Sequence, residues 1–340
     1  MKIDVHWHHV PRSFVDAVLA GRCPINGRVD RSDGETKFRL DGGFTQEIFD
    51  ALTDIDQAIA HMDAVGLDIV APSLAPPLMH HDADADVAVQ LSRTVNDGLA
   101  EAAAAHPDRL RPLANIPMQD TEAAVSELKR AVGELGFAGA AISTHVARRN
   151  LGDPEFRPFW HTAAEMDALV FIHPNPPPLG LKEGRLNRHG MANFVGLPIE
   201  HACALSSLIF DGVYEDVGAV KTCFAHGGGG FPYMLGRWRH GFEARLEGGV
   251  DHMKAPLTYL DNVYCDSLIH DETALRFLVD RLGADHVALG SDYPFDMGVA
   301  DPYGEMAKAI DDEEVREQIA ARTAMQLLGL DERIAGGSPA

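Results

Sequence analysis

The sequence predicts an α/β chain folded as a (β/α)8 barrel with long insertions after its first and fifth strands. Short apolar runs alternate with amphipathic helical stretches along nearly the whole chain, which is the pattern of a parallel sheet with crossover helices. Eight such runs lie at residues 2–6, 67–72, 110–116, 138–143, 169–173, 219–225, 262–266 and 286–291. Eight units of this kind argue for closure into a barrel. Several of the runs are followed directly by His or Asp, at the strand ends where a barrel builds its catalytic face.

The first run, Ile3-Asp4-Val5, leads into His6-Trp7-His8. Residues 11–50 then hold Pro, Gly and charges with weak periodicity, too long for a simple connection, and predict a lid or substrate wall. From Asp56 to Val65 the stripe Ile55, Ile59, Met62 and Val65 reads as one helix face. Residues 86–105 and 121–135 are rich in Ala and Glu, with apolar residues at three- and four-residue steps. Residues 154–167, 197–211, 231–246, 271–282 and 311–328 behave likewise. After Leu169-Val170-Phe171-Ile172 and His173-Pro174 comes the second insertion, 174–195, with Pro176, Pro177, Pro178, Arg185, Arg188 and His189. No internal repeat or linker interrupts the pattern. One domain over 1–334 is expected, with 335–340 (Ala-Gly-Gly-Ser-Pro-Ala follows Ile334) a disordered tail.

The bulk numbers narrow the function. A chain of 340 residues with 46% hydrophobic content can bury a large core. Its net charge of −22, from 51 acids against 29 Lys and Arg, argues against nucleic acid or an anionic membrane as a general partner. The four cysteines, Cys23, Cys203, Cys223 and Cys265, have no zinc-finger or CxxC spacing and read as buried thiols. MKIDVHWHH lacks a signal-peptide apolar stretch, and no apolar run approaches a membrane span. A cytoplasmic, soluble protein is expected.

The chemistry concentrates at the strand ends. His6 and His8 are two apart on a strand, so both rings face the same side and can reach one ion. His173 ends the fifth run, His226 precedes four glycines after the sixth, and Asp292 in Gly290-Ser291-Asp292-Tyr293-Pro294 closes the eighth. Imidazoles plus one carboxylate without thiolate suit Zn²⁺, with Mn²⁺ or Fe²⁺ as alternatives. Three His and one Asp leave an open position, as a catalytic site requires. One His is then left over, and from spacing alone His173 and His226 compete for the last place. The unbound one would serve as general acid/base. Arg39 lies in the first insertion and could fork onto a substrate carboxylate. Arg237, Arg239 and Arg245 lie on the helix after the glycine run, and Arg237 sits far enough past His226 to put its own barrel mouth out of easy reach.

The stretch from Ala225-His226-Gly227 through Phe231-Pro232-Tyr233-Met234-Leu235-Gly236-Arg237, with His240-Gly241-Phe242, resembles the 2-amino-3-carboxymuconate-6-semialdehyde decarboxylase family. So does Gly290-Ser291-Asp292-Tyr293-Pro294-Phe295. Weaker matches include Asn115-Ile116-Pro117-Met118-Gln119, Ser143-Thr144-His145-Val146 and Val195-Gly196-Leu197-Pro198-Ile199-Glu200, so the likeness covers almost the entire chain. The family is a branch of the amidohydrolase superfamily. The resemblance implies a one-metal barrel, usually with zinc, with His6, His8, His173 and Asp292 as ligands and His226 as the non-ligating acid/base. It implies that Arg39 helps hold a substrate carboxylate. It also implies a homodimer, because Arg237 and Arg245 match family arginines, one of which reaches a neighbouring subunit's site. Three stretches depart from the family pattern: Leu78-Met79-His80-His81-Asp82, Asn175-Pro176, and Leu40-Asp41-Gly42-Gly43. The metal chemistry therefore transfers better than the substrate.

The expected activity is metal-dependent, non-oxidative decarboxylation of an unsaturated or aromatic carboxylic acid, with His226 and Asp292 moving the proton. A hydrolase of a C–C, lactone or amide bond, or a hydratase, could use the same site. A non-catalytic metal-binding scaffold is the reading from another class.

Overall fold

Eight parallel strands take up the apolar runs: β1 Ile3–His8, β2 Ile69–Ser73, β3 Leu113–Asn115, β4 Gly139–Ser143, β5 Leu169–His173, β6 Lys221–Phe224, β7 Val263–Asp266 and β8 Val287–Ala288. The computed structural model describes residues 1–41, 44–175, 184–245 and 253–330. Strands β3 to β8 form one ladder in chain order, and β1 pairs with β2. Two seams close the ring. Val70 donates to the carbonyl of Arg109 and accepts from Arg111, joining β2 to the chain entering β3. Val5 donates to the carbonyl of Leu289, and the Asp292 amide to that of His6, joining β1 to the chain leaving β8. A closed ring leaves no strand edge exposed.

Side chains alternate along each strand between two cores. Leu169 and Phe171 of β5 point into the barrel with Ile3, Val5, Ile69, Ala71, Leu113, Ala141, Cys223 and Ala288. Val170 and Ile172 face outward onto the helical layer with Val70, Ala114, Ala140 and Val263. Because strands buried on both faces carry near-continuous apolar runs, they were easy to count in the sequence.

Several helices that follow the predicted stripes begin at side-chain caps. Asp54 caps Ile55–Val65 by accepting from the Asp56 and Gln57 amides, and Gly66 ends it in the left-handed region at φ 72°. Asp120 caps Thr121–Gly133 and Asp271 caps Glu272–Leu282 in the same way. Residues 311–328 resolve into three consecutive helical pieces, and Pro302–Ala309 is an additional helix that the sequence reading did not find. The segment Ala192–Phe210 is long and apolar enough to cross a bilayer by composition, but half of it is buried within the fold.

The first insertion is structured rather than loop-like. It forms the helix Arg12–Leu19 and an antiparallel sheet of Gly27–Asp30, Thr36–Leu40 and Thr45–Ile48. Buried Phe38 packs on Phe14 at a ring separation of 6.3 Å, fastening the sheet to the barrel. Its strands are too short and polar to show a period in the sequence. The tail expected over 335–340 lies outside the described residues, as do 176–183 of the second insertion.

Phe171 sits beneath the barrel mouth, fully buried, with its ring 5.1 Å from that of His6. Phe171→Ala should cost about 3–5 kcal/mol of stability, as large cavities in packed cores do. Urea unfolding of the two proteins would measure it, and a loss under 1 kcal/mol, roughly the scale of a surface change, would contradict this packing.

Candidate active site

The mouth of the barrel is built by continuing the inward-facing rows of the strands. Two residues beyond Phe171 on the same face comes His173, and two beyond Ala288 and Gly290 comes Asp292. On β1 simple alternation would fail: Ile3 and Val5 point inward, so His6 and His8 should point out. A bulge corrects this. The register of β1 against β2 shifts between Asp4 and Trp7, sending Trp7 to the outer core and bringing His6 and His8 to the inner face. Bulges commonly re-aim side chains beside active sites.

Nitrogen and oxygen atoms of His6, His8, His173 and Asp292 then lie within 4.8 Å of one another, all four residues buried. His6 Nε2 is 3.2 Å from His8 Nε2 and 3.3 Å from Asp292 Oδ1, which is 3.0 Å from His8 Nε2. The opposite ring nitrogens are tied off. His6 Nδ1 is 2.5 Å from Asp266 Oδ2, His8 Nδ1 is 3.2 Å from Ser73 Oγ, and His173 Nδ1 is 2.8 Å from the Pro174 carbonyl. Each imidazole therefore turns Nε2 toward the common centre, the arrangement that outer partners impose on metal-binding histidines. His173 Nε2 is buried there with no hydrogen-bond partner among the described residues.

The electrostatics demand a cation. Burial, and after it His226, His6 and His8, hold His173 well below its ordinary 6.5, so it is neutral with a free lone pair. Burial likewise lowers His8. Burial opposes charge on Asp292 too, but the neighbouring His6, with His226 and His8 close by, holds its carboxyl well below the usual range. Against burial, which would lower it, Asp292 and Asp266 push His6 up to about 10. In the metal-free protein, a proton on His6 thus stands where a divalent ion would balance the carboxylate. Three converging nitrogens, one ionised oxygen and a trapped proton fit a divalent metal.

Asp266, at the end of β7, was missed by the sequence reading. Besides His6, it accepts from the backbone amides of His226, Gly227 and Leu268 at 2.8 to 3.1 Å. It thereby locks the glycine turn onto the metal-facing histidine. The signal was available: Val263-Tyr264-Cys265-Asp266 is another apolar run ending in an acid.

His226 stands at the edge of this centre, its Nε2 3.6 Å from Asp292 Oδ2 and its side chain 26% exposed. Both residues hold left-handed backbone, at φ 54° for His226 and 59° for Asp292, conformations that non-glycine residues adopt at a cost. A cavity of about 580 Å³ opens above His173, His226 and Asp292. Its walls include Phe44 from the first insertion, Pro76 and Pro77 after β2, Asn193 and Phe194 from the end of the second insertion, and Leu197 just beyond it. Both insertions thus reach the cavity.

Neither Arg39 nor Arg237 is brought to it. Arg39 pairs with Asp30, Nε to Oδ2 at 2.5 Å, and no arginine or lysine is among the described lining residues. Arg237 is exposed on the helix Phe231–Arg245. The side chain of Arg245 lies outside the described residues.

A model of the amidohydrolase family matches residues 3–330. The 2-amino-3-carboxymuconate-6-semialdehyde decarboxylase of Dictyostelium discoideum is 35% identical over 337 residues, covering 97% of this chain and 92% of the relative. The γ-resorcylate decarboxylase of a Rhizobium species is 29% identical over 286 residues, covering 75% and 81%. The solved dihydroxybenzoic acid decarboxylase of a Polaromonas species, with manganese and the inhibitor 2-nitroresorcinol bound, has a TM-score of 0.76 at 25% identity, covering 96% of each chain. The chain belongs to the amidohydrolase family, in the branch of the 2-amino-3-carboxymuconate-6-semialdehyde decarboxylases. These named relatives are decarboxylases, carboxy-lyases of the same superfamily.

Two measurements test this centre. Asp266→Asn should weaken metal binding about 10- to 100-fold, the usual cost of losing an outer partner, read by competition with a chelating dye. The raised His6 pKa stabilises the metal-free fold fully below 6.5, and that stabilisation is lost as pH climbs toward about 10. Calorimetry should therefore show the Tm of the chelator-treated protein falling over that window while the metal-loaded protein holds, so the gap widens. A constant gap would contradict a protonated His6.

Proposed function

We propose that this protein decarboxylates an aromatic or conjugated carboxylic acid without an oxidant. In this reading His6, His8, His173 and Asp292 hold a divalent metal, and His226 is the proton donor. The observation that carries it is the convergence of three Nε2 atoms and an ionised carboxylate on one centre at the cavity floor, with His226 beside it. The donor set suits Zn²⁺, Mn²⁺ or Fe²⁺, and manganese occupies the Polaromonas relative.

A bound divalent ion would polarise and orient a substrate oxygen at that centre. The chain's own residues do the rest. His226 delivers a proton to the carbon bearing the carboxylate. The bond from that carbon to the carboxylate breaks, its electron pair stays on the carbon framework, and CO₂ departs. His226 recovers its proton from water, so a turnover consumes one proton and releases one CO₂. Asp292 keeps the His226 ring oriented through its second oxygen. Phe44, Pro76, Pro77 and Phe194 keep bulk water from the reacting carbon.

Domain and partner belong to the same proposal. One domain spans 1–334, and it works as a homodimer. Support comes from an apolar surface formed by Phe194, Val195, Ile199 and Tyr233, exposed by 37 to 87%. The Gly230 amide bonds the Pro198 carbonyl, bringing the two helices that carry these residues together. Arg237, exposed one turn beyond Tyr233, reaches the partner's cavity and holds the substrate carboxylate, a cation the described lining lacks. Arg245 and Arg39 are the other candidates for that task, although Arg39 must first leave Asp30. The free thiols are consistent with a cytoplasmic protein.

His226→Ala should keep its metal and lose about 100- to 10,000-fold in turnover, followed as CO₂ release alongside ultraviolet absorbance. Retained turnover would remove His226 from the mechanism, and substrate loss without CO₂ would replace decarboxylation by hydrolysis or hydration. Mixing His226→Ala and Arg237→Ala subunits should restore about a quarter of native activity, since half the dimers carry one complete site if the arginine acts across a two-fold interface. No recovery would rule out Arg237 acting in trans.

A further inference from the structure

His226 has a second neighbour behind it. Its Nε2 faces Asp292 at the cavity floor. Its Nδ1 lies 3.5 Å from His201 Nε2, its one hydrogen-bond partner among the described residues. That distance is at the long end for such a contact, as catalytic contacts often are before a substrate tightens them. His201 is 0% exposed and is not among the described lining of the cavity. It supports His226 from the protein side.

The glycine run makes this approach possible. His201 lies in the first turns of the helix Leu197–Phe210, whose start packs directly on the turn after His226. The Gly230 amide donates to the Pro198 carbonyl, and a Cβ at Gly229, where φ is 56°, would collide with that carbonyl. Only a residue without a side chain lets the helix come so close. Phe224, at the end of β6, stands edge to face with His201 at a ring separation of 6.0 Å and packs it from the strand side.

Packing does not account for an imidazole here. His201 Nδ1 is buried without a hydrogen-bond partner among the described residues. Burial, and after it His226 and His6, hold the ring well below its ordinary 6.5, so it is neutral. An apolar side chain of the same shape would fill the space without burying an unpaired nitrogen. What the imidazole adds is its one contact, to His226.

The chemistry assigned to His226 needs that contact. His226 gives up and regains a proton at the nitrogen facing the substrate. Between the two steps the ring is neutral and carries one proton. If that proton sat on Nε2, the same nitrogen would have no lone pair with which to take the next one from water. The proton that stays must therefore be on Nδ1, and a partner that accepts there keeps it in place. His201 Nε2 offers a lone pair, with the proton of His201 on its own Nδ1. Nothing is transferred between the two rings.

We propose that His201 is a positioning residue, which accepts a hydrogen bond from His226 Nδ1 and so leaves Nε2 of that ring free to carry the proton to the substrate. The proposal rests on His226 as proton donor, so its test includes a readout that needs no turnover. Zinc-loaded protein labelled with ¹⁵N in histidine is studied by NMR at alkaline pH, where both rings are neutral, with the His226 signals assigned by their loss in His226→Ala. The native protein should carry the His226 proton on Nδ1. In His201→Phe, which fills the space without a nitrogen, the proton should spread over both ring nitrogens. In His201→Gln, whose amide oxygen can still accept, it should return to Nδ1. With any monohydroxybenzoate or cinnamate that releases CO₂, His201→Phe should lower kcat about ten-fold, the scale of one neutral hydrogen bond, with KM and metal content unchanged. His201→Gln should recover part of that loss. A native His226 proton on Nε2, or a His226 spectrum that His201→Phe leaves unchanged, would overturn the proposal. So would a loss of kcat that His201→Gln does not reduce. If His201→Phe fails to fold, the native spectrum decides. The proton held on Nδ1 in a protein that releases no CO₂ would uphold the role of His201 and sink decarboxylation. CO₂ release that His201→Phe leaves undiminished would do the reverse.

Discussion

Everything at the mouth of this barrel depends on one electrostatic constraint. Imidazoles of His6, His8 and His173 and the carboxylates of Asp292 and Asp266 are packed together, each no more than 6% exposed. Buried charge of one sign is costly unless it is paired. With no metal, a proton on His6 balances the group. A divalent ion held by the same residues would balance it too and would leave a position for a substrate oxygen.

The fold is adjusted in several places to hold that arrangement. A bulge in β1 reverses the facing of two histidines at once. Asp266 gathers His6, His226 and the glycine turn on a single carboxylate. His226 and Asp292 both tolerate left-handed backbone so that their side chains reach the centre. Gly290, beside Asp292, has no room for a side chain: a Cβ there would lie 2.7 Å from Asp266 Cβ and 3.0 Å from His6 Cβ. The bulge and the left-handed residues do not stabilise the fold by themselves. They persist because the surrounding barrel over-determines them, as is usual where strain serves a site.

How much of this could be read from the sequence followed from how local each signal is. Strands such as Leu169–His173 declare themselves because both faces are buried, and helices such as Glu272–Leu282 declare themselves through stripe and cap. The ends of those strands located His6, His8, His173, His226 and Asp292 together. Spacing could not decide between His173 and His226. That required knowing that His173 continues the inward row of β5, while His226 lies past the end of β6 in a left-handed turn. The pairing of His6 and His8 was anticipated for a reason that was only half complete, since alternation alone would have turned both outward. Asp266 went unnoticed because one acid after an apolar run is a weak signal. The small sheet of residues 27–48 went unread because its short polar strands carry no period. The contact of Asn175 with His81 joins residues 94 apart and cannot be inferred from one sequence.

The central claim is that His6, His8, His173 and Asp292 hold one divalent ion beside an unligated His226. Native mass spectrometry of the purified chain, with metal content measured in parallel, tests it most directly. The account predicts one divalent ion per chain, abolished by His8→Ala and by Asp292→Ala but kept in His226→Ala. Loss of the ion in His226→Ala, or full retention in His8→Ala, would contradict it.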